Sequence, residues 1–217
     1  TSLRCDWSSD VCSSDLFQPG MVKNTYGTGS FLLMQTGQRP VASSSGLLTT
    51  IAWQQASLQA QYALEGSIFN TGSAVQWLRD GLRIIRDAGE TEALAKAVAD
   101  TGGVFFVPAF TGLGAPHWDA EARGTVTGLT RGTNRAHIVR ATLEAIAYQA
   151  RDVVEAIEPD TGLRVLVVRP AGRGSANSFL LPFQPYQFGA PVAFPALAGT
   201  PPLRAACFSA SAAGPSP

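Results

Sequence analysis

The sequence predicts an α/β domain: a mixed sheet with flanking helices. Three observations support this. Strand-like segments between Val22 and Phe69 are followed by helical ones, and a long amphipathic helix is predicted over Arg135–Ile157. Directly after that helix comes the apolar run RVLVVRP (164–170), the pattern of a strand in a sheet covered on both faces. With 217 residues the chain is long enough to bury a sizeable core.

The elements follow in order. Val22–Tyr26 and Ser30–Thr36 flank a GTG bend and read as a strand pair. GLLTTIAW (46–53) and YALEGSIF (62–69) read as two more strands. NTGSAVQWLRDGLRII (70–85) reads as a turn feeding a helix, with Val75, Leu78, Leu82 and Ile85 on one face. ETEALAKAV (90–98) is a short helix whose acidic start suits the helix dipole. GGVFFVPAF (102–110) reads as a buried strand, TGLGAPHWDAEARG (111–124) as an irregular loop, and TVTGLT (125–130) as a short alternating strand.

Asn134 is the expected N-cap of the long helix, whose apolar stripe is Ile138, Thr142, Ile146, Ala150, Val153 and Ile157. Pro159 and Gly162 are expected to end it. SANSFLLPFQPYQFG (175–189) has helical apolar spacing, yet Pro182 and Pro185 lie inside it. A proline costs ~3 kcal/mol in a helix interior, so local propensity and pattern conflict there. No internal repeat is present.

Residues 1–16, with the near-repeat WSSDVCSSD, have neither helical nor strand periodicity. They resemble a translated sequencing adapter and are expected to be non-native and disordered. Residues 196–217, rich in Ala, Ser and Pro, are expected to form an irregular tail, which leaves 17–195 as the folded domain, degraded in sequence after about 168. Sixteen basic and sixteen acidic residues cancel, so there is no electrostatic footprint for nucleic acid or an anionic membrane. Cys5, Cys12 and Cys207 have no ligand-like spacing, and no metal site is expected. No apolar run approaches the ~20 residues that span a bilayer, so a cytoplasmic protein is the expectation.

Two turns are candidate anion sites. At YGTG (26–29), Gly27 and Gly29 let backbone amides approach an anion, and Thr28 adds a hydroxyl. A plain hairpin uses the same residues. At Gly72–Gln76 a helix N-terminus offers amides and partial positive charge, although an ordinary turn with a solvated Gln76 fits equally. Neither GxxxxGK[ST] nor a strand-linked GxGxxG occurs. His137 reads as a surface residue in the first turn of a helix, and His117 as a loop-packing residue with some functional promise beside Trp118 and Asp119. Asp119 and Glu121 are candidate paired carboxylates, and Trp53, Trp77 and Trp118 read as core or loop anchors. The residues alone name no reaction.

FQPGMVKNTYGTGSFLLMQTG, LEGSIFNTGSAVQWLRDGL, FVPAFTGLGAPHWDAEARGTVTGLTRGT and IVRATLEAIAYQARDV occur in that order between Phe17 and Val153. From Phe17 to about Val168 the chain resembles the C-terminal lobe of glycerol kinases, within the FGGY carbohydrate kinases. GTVTGLTRGTNRAHIVRATLE (124–144) is similar to that family's second signature. The resemblance implies an RNase H-like fold shared with actin and chaperone ATPases. It implies ATP bound between two lobes with Mg²⁺, and transfer of the γ-phosphoryl group to glycerol. It further implies nucleotide contacts at Thr28, Gly29, Gly72, Gln76, Gly172 and Asn177, and packing of Phe31 against the glycerol carbons.

The resemblance also implies what this chain does not carry. The family's general base, an Asp in a GDQ-type motif, falls upstream of Phe17, where Asp6, Asp10 and Asp15 do not match it. No catalytic residue is therefore assigned, and the expectation is a kinase fragment that lacks its N-terminal lobe and is inactive alone, its parent a homo-oligomer. The family's DGG reads Ala171-Gly172-Arg173, which sets a long side chain where bare backbone approaches adenine. Two other readings stay open: another FGGY sugar kinase, such as one acting on xylulose, and a non-catalytic nucleotide-binding module.

Overall fold

The computed structural model describes residues 16–54 and 59–193. The N-terminal segment before Leu16, the tail after residue 195 and all the cysteines lie outside the described residues. The main sheet has five strands in the order β3-β4-β2-β1-β7. They are β1 (Met21–Tyr26), β2 (Ser30–Gly37), β3 (Leu48–Trp53), β4 (Gln61–Ile68) and β7 (Val167–Gly172). The first four pair antiparallel, whereas β7 joins β1 in parallel, Tyr26 opposite Gly172. The sheet is mixed, as the sequence predicts. β5 (Phe105–Val107) and β6 (Thr125–Thr127) make a separate antiparallel pair.

Alternation along the strands gives the sheet two faces. Val22, Leu32, Met34, Leu64 and Ile68 pack against Ala150, Val153, Val154 and Ile157 of α3 (Arg135–Thr161). Leu33, Ala52 and Ala63 point to the other face and meet Leu16. Gly66 permits the first contact: a Cβ there would stand 2.3 Å from Val153 Cγ1, so any side chain would lift α3 off β4. Asn134 caps α3 as predicted, its Oδ1 accepting from the Ala136 amide at 2.9 Å, while His137 Nδ1 accepts from the Asn134 amide.

Five elements differ from expectation. α1 (Gly72–Asp80) stops before Ile85, because the Gly81 and Leu82 amides both turn back to the Trp77 carbonyl and Arg83 takes φ 55°. Ile85 is still buried, delivered by the returning chain against Leu78 and Val139, while Leu82 is exposed. In the segment 102–110 only three residues form strand, and Phe105 and Val107 face solvent while Phe106 stacks on Trp77. α3 passes through Pro159 to Thr161 and ends at Gly162 (φ 66°), since a proline in the last turn removes a single helix bond. β7 is an edge strand, with Val168 in the core and Leu166 exposed; its outer side is partly covered where the Val168 amide donates to the Pro191 carbonyl.

The fifth is α4 (Leu180–Phe188), which forms despite its prolines. Pro182 is its third residue, where an N–H has no helical partner anyway, so only Pro185 removes a bond. α2 (Glu90–Lys96) lies beside the start of α4, and Arg140 of α3 fixes both. Its guanidinium pairs with Glu144 at 2.8 Å, donates to the Val98 carbonyl at 2.6 Å and lies 5.1 Å from the Phe179 ring centroid.

The far end of α3 holds a polar latch. The Asp160 carboxylate accepts from the Ser44 hydroxyl (2.6 Å), the Ser44 amide (3.1 Å), the Ser45 amide (3.3 Å) and the Ser43 hydroxyl. Burial pushes its pKa up, but these donors together outweigh that and hold the carboxyl down at about 2. A depressed carboxyl pKa contributes stability that is complete above the unfolded-state value near 4 and fades as pH falls toward about 2. Asp160→Asn is therefore expected to lower urea stability by about 1 kcal/mol at pH 7. The gap from wild type should narrow between pH 4 and pH 3; a gap independent of pH would show that charge is not what the latch uses.

Candidate functional site

The first turn and the last strand open at the same end of the sheet, and between them lies a cleft of about 810 Å³. Its floor is apolar: Tyr26, Leu143, Ile146 and Leu180 form one packed cluster with Val75 beside it. The Tyr26 hydroxyl is buried and accepts from Asn24 Nδ2 (2.8 Å) and Gln184 Nε2. Burial raises its pKa against the opposing effect of the Gln184 hydrogen bond, which keeps the phenol neutral.

The near wall is the turn Gly27–Thr28–Gly29. The Gly72 amide donates to the Gly27 carbonyl (3.1 Å), and the Thr71 and Ser73 amides donate to the Thr28 carbonyl (3.1 and 2.9 Å). The amides that open α1 are thus engaged with the turn, and the expectation of free amides at this helix start is corrected. Gly72 is required for that docking, since a Cβ would stand 2.3 Å from the Gly27 carbonyl oxygen. Gly29 is required on the other side, where a Cβ would stand 2.4 Å from the Ile68 carbonyl oxygen. Thr28 is left exposed at the crest, its hydroxyl unpartnered among the described residues, and Gln76 lies exposed one helical turn along.

The far wall comes from the end of β7 and from α2. Gly172 takes φ 82°, and a Cβ there would stand 2.2 Å from the Tyr26 carbonyl oxygen, so no side chain fits where the end of β7 lies against β1. Asn177 then turns the backbone into α4. Its Oδ1 accepts from the Phe179 and Leu180 amides (3.0 and 2.9 Å), and its Nδ2 donates to Thr91 Oγ1 (3.2 Å). Next to it Glu92 accepts from Lys96 Nζ (2.8 Å), the Ser178 amide (3.0 Å) and the Ser178 hydroxyl. The Lys96 and Ser178 hydrogen bonds hold the Glu92 carboxyl down at about 2.

The cleft therefore gathers Thr28, Gly72, Gln76, Gly172 and Asn177 from three distant parts of the sequence. Gly29 lies behind the turn, and Phe31 stands apart on β2, about 40 % exposed and opposite Thr25 and Ser67 in the sheet. Thr91, Glu92 and Leu180 also line the cleft, and no motif in the sequence marks them as site residues. The Glu92–Lys96 spacing is visible in ETEALAK, but nothing local shows that Ser178 completes it. Elsewhere, His117 lies 3.4 Å from Asp152 on the surface. Asp119 caps the Glu121 and Ala122 amides in a turn instead of pairing with Glu121, and Trp118 Nε1 anchors the loop on the Gly46 carbonyl (2.7 Å).

Residues 22–212 match the C-terminal domain of the FGGY family of carbohydrate kinases. The chain belongs to the FGGY family. This FGGY domain is 60 % identical over 198 residues to glycerol kinase 2 of Thermotoga maritima and 59 % identical to a glycerol kinase of Symbiobacterium thermophilum, covering 91 % of this chain and 40 % of each relative. The chain thus spans about two fifths of the length of the curated relatives it matches. Among solved structures, a Plasmodium falciparum glycerol kinase with ADP superposes with a TM-score of 0.85 at 38 % identity, over 92 % of this chain and 40 % of that one. A Lactobacillus acidophilus xylulose kinase shares the fold at 21 % identity, with a TM-score of 0.78 over 94 % of this chain and 41 % of that one.

The geometry makes Asn177 a cap and a tie within the FGGY domain. Asn177→Ala is expected to lower stability by about 1–2 kcal/mol through loss of that cap. Asn177→Asp keeps the acceptor for the two amides and should recover most of the loss in urea unfolding. Equal stability of the Ala variant and wild type would show that the α4 cap carries nothing.

Proposed function

We propose that this domain forms the nucleotide-binding wall of an ATP-dependent glycerol kinase, which passes the γ-phosphoryl group of ATP to a glycerol hydroxyl. The observation that carries the reading is the convergence of Thr28, Gly72, Gln76, Gly172 and Asn177 on one cleft with an apolar floor. The high identity to glycerol kinases and the likeness to one with ADP support it.

In this reading the apolar floor receives adenosine, and Gly172 brings the end of β7 against Tyr26 at its edge. The Thr28 hydroxyl and the exposed turn face the phosphates. Gly29 serves by seating the turn on β4, and Phe31 packs against the glycerol carbons. Phosphoryl transfer depends chiefly on positioning and charge neutralisation, and these residues supply the first of the two. Among the described residues the cleft holds no free carboxylate, because Glu92 is engaged by Lys96 and Ser178. No group of three metal-ligating side chains occurs among them either. The residues here do not fit a protein-held Mg²⁺, which would enter with the nucleotide. The general base, and the rest of the glycerol pocket, belong to a complementary N-terminal lobe. ATP, ADP and glycerol are the small-molecule partners, a homo-oligomer the parent state and the cytoplasm the location. No described helix is long and apolar enough to cross a membrane.

A second reading, a nucleotide-binding module without catalysis, is favoured by that same lack of a free carboxylate. Calorimetric titration of the 217-residue chain with ADP, paired with an assay for glycerol 3-phosphate, tests both. Saturable ADP binding without turnover is expected. Thr28→Val should weaken it about tenfold, the value of one hydrogen bond to a charged group. Absence of ADP binding to the wild type would overturn the nucleotide reading, and turnover by this chain alone would overturn the assignment of the base to another lobe.

A further inference from the structure

Arg173 is the charged residue lining the cleft that has no partner among the described residues. It follows Gly172 as the first residue of the 3-10 turn Arg173–Ala176, is exposed, and lines the cleft. No ion-pair or hydrogen-bond partner for it occurs among the described residues. Two other described charged residues line the cleft, and both are already paired: Arg79 with Asp80 (2.7 Å) and Glu92 with Lys96 (2.8 Å).

The strand register fixes where Arg173 stands. β1 and β7 run parallel with Tyr26 opposite Gly172, so the next residue on each strand, Gly27 and Arg173, leave the sheet side by side. Adjacent strands lie about 4.8 Å apart, which brings the Arg173 backbone beside the turn that carries Thr28. The approach is held tight by Gly172 on the Tyr26 carbonyl oxygen (2.2 Å for a Cβ) and by Gly174 on Tyr26 Cβ (2.8 Å for a Cβ). Arg173 lines the same cleft as Gly27 and Thr28 of that turn. Ala171 and Gly172 precede it, so the strand end itself brings no carboxylate to neutralise it.

We infer that Arg173 is an anion-binding residue of the cleft, pairing with the phosphates of a nucleoside di- or triphosphate whose phosphate end lies over Thr28. The inference rests on the nucleotide reading of the cleft and deepens it. The side chain that looks like an obstruction in the sequence acts as a phosphate ligand, forming the forked hydrogen bonds that guanidinium makes to phosphate oxygens. Arg173 also gives the cleft its one uncompensated positive charge among the lining residues described.

The test is calorimetric titration of the full chain with ADP at low and high salt, for wild type, Arg173→Gln and Arg173→Lys. Gln is expected to weaken ADP binding about tenfold at low salt, the scale of a charge-assisted hydrogen bond, with Lys in between. The difference between wild type and Gln should shrink at high salt, where an exposed pair is screened. Equal affinity of wild type and Arg173→Gln for ADP, or tighter binding by the Gln variant, overturns the inference and restores Arg173 as bystander or obstruction. Failure of every form, wild type included, to bind ADP overturns the nucleotide reading itself and the inference with it.

Discussion

The parallel pairing of β7 with β1 is the constraint on which the rest of the cleft depends. It lays Gly172 on the Tyr26 carbonyl and so brings two loops, separated by most of the domain, out of the same end of the sheet. The pairing is itself set by α3, which crosses the sheet and feeds β7 to its edge. α3 can lie that close because Gly66 leaves room for Val153. A single missing Cβ on β4 is thus felt at a cleft formed by other elements, through the position of one helix and the strand that follows it.

Much of this was legible in the sequence where the deciding interactions are local. The β1–β2 hairpin follows from alternation and the glycines at its bend, and the start of α3 from Asn134, whose cap lies within three residues of itself. What misled was local pattern without its tertiary context. Ile85 has helical spacing with Leu78, yet it reaches the core on a returning loop after Gly81 ends the helix. Pro182 looked disruptive because its position relative to the helix start was not visible, and at that start a missing N–H has little consequence.

The cleft divides the same way. The turn pattern points to Thr28 and Gly72 as candidates and the family resemblance adds Asn177, but what each does in the fold is not readable from the local sequence. Gly72 seats the turn, and Asn177 ties α2 to the start of α4, because their partners Gly27 and Thr91 are 45 and 86 positions away. Glu92 is the clearest case. The sequence shows an acidic residue four before a lysine, an ordinary surface pair, whereas the fold also bonds it to Ser178 and so ties α2 to the start of α4 within the far wall. Engaged in that way, its carboxylate helps shape the cleft by holding α2 against the start of α4.

The tie between Glu92 and Ser178 has a thermodynamic side. The cleft is enclosed by residues from the first strand and the last helix, so it exists only when both ends of the domain are folded together. A ligand seated there does not stabilise one loop; it favours every native contact that must be intact for the walls to face each other. Occupancy and global unfolding are then linked by mass action, and the folded population rises with ligand concentration. The same connection runs in reverse, since weakening a distant contact such as the Asp160 latch lowers the fraction of molecules that present a complete cleft.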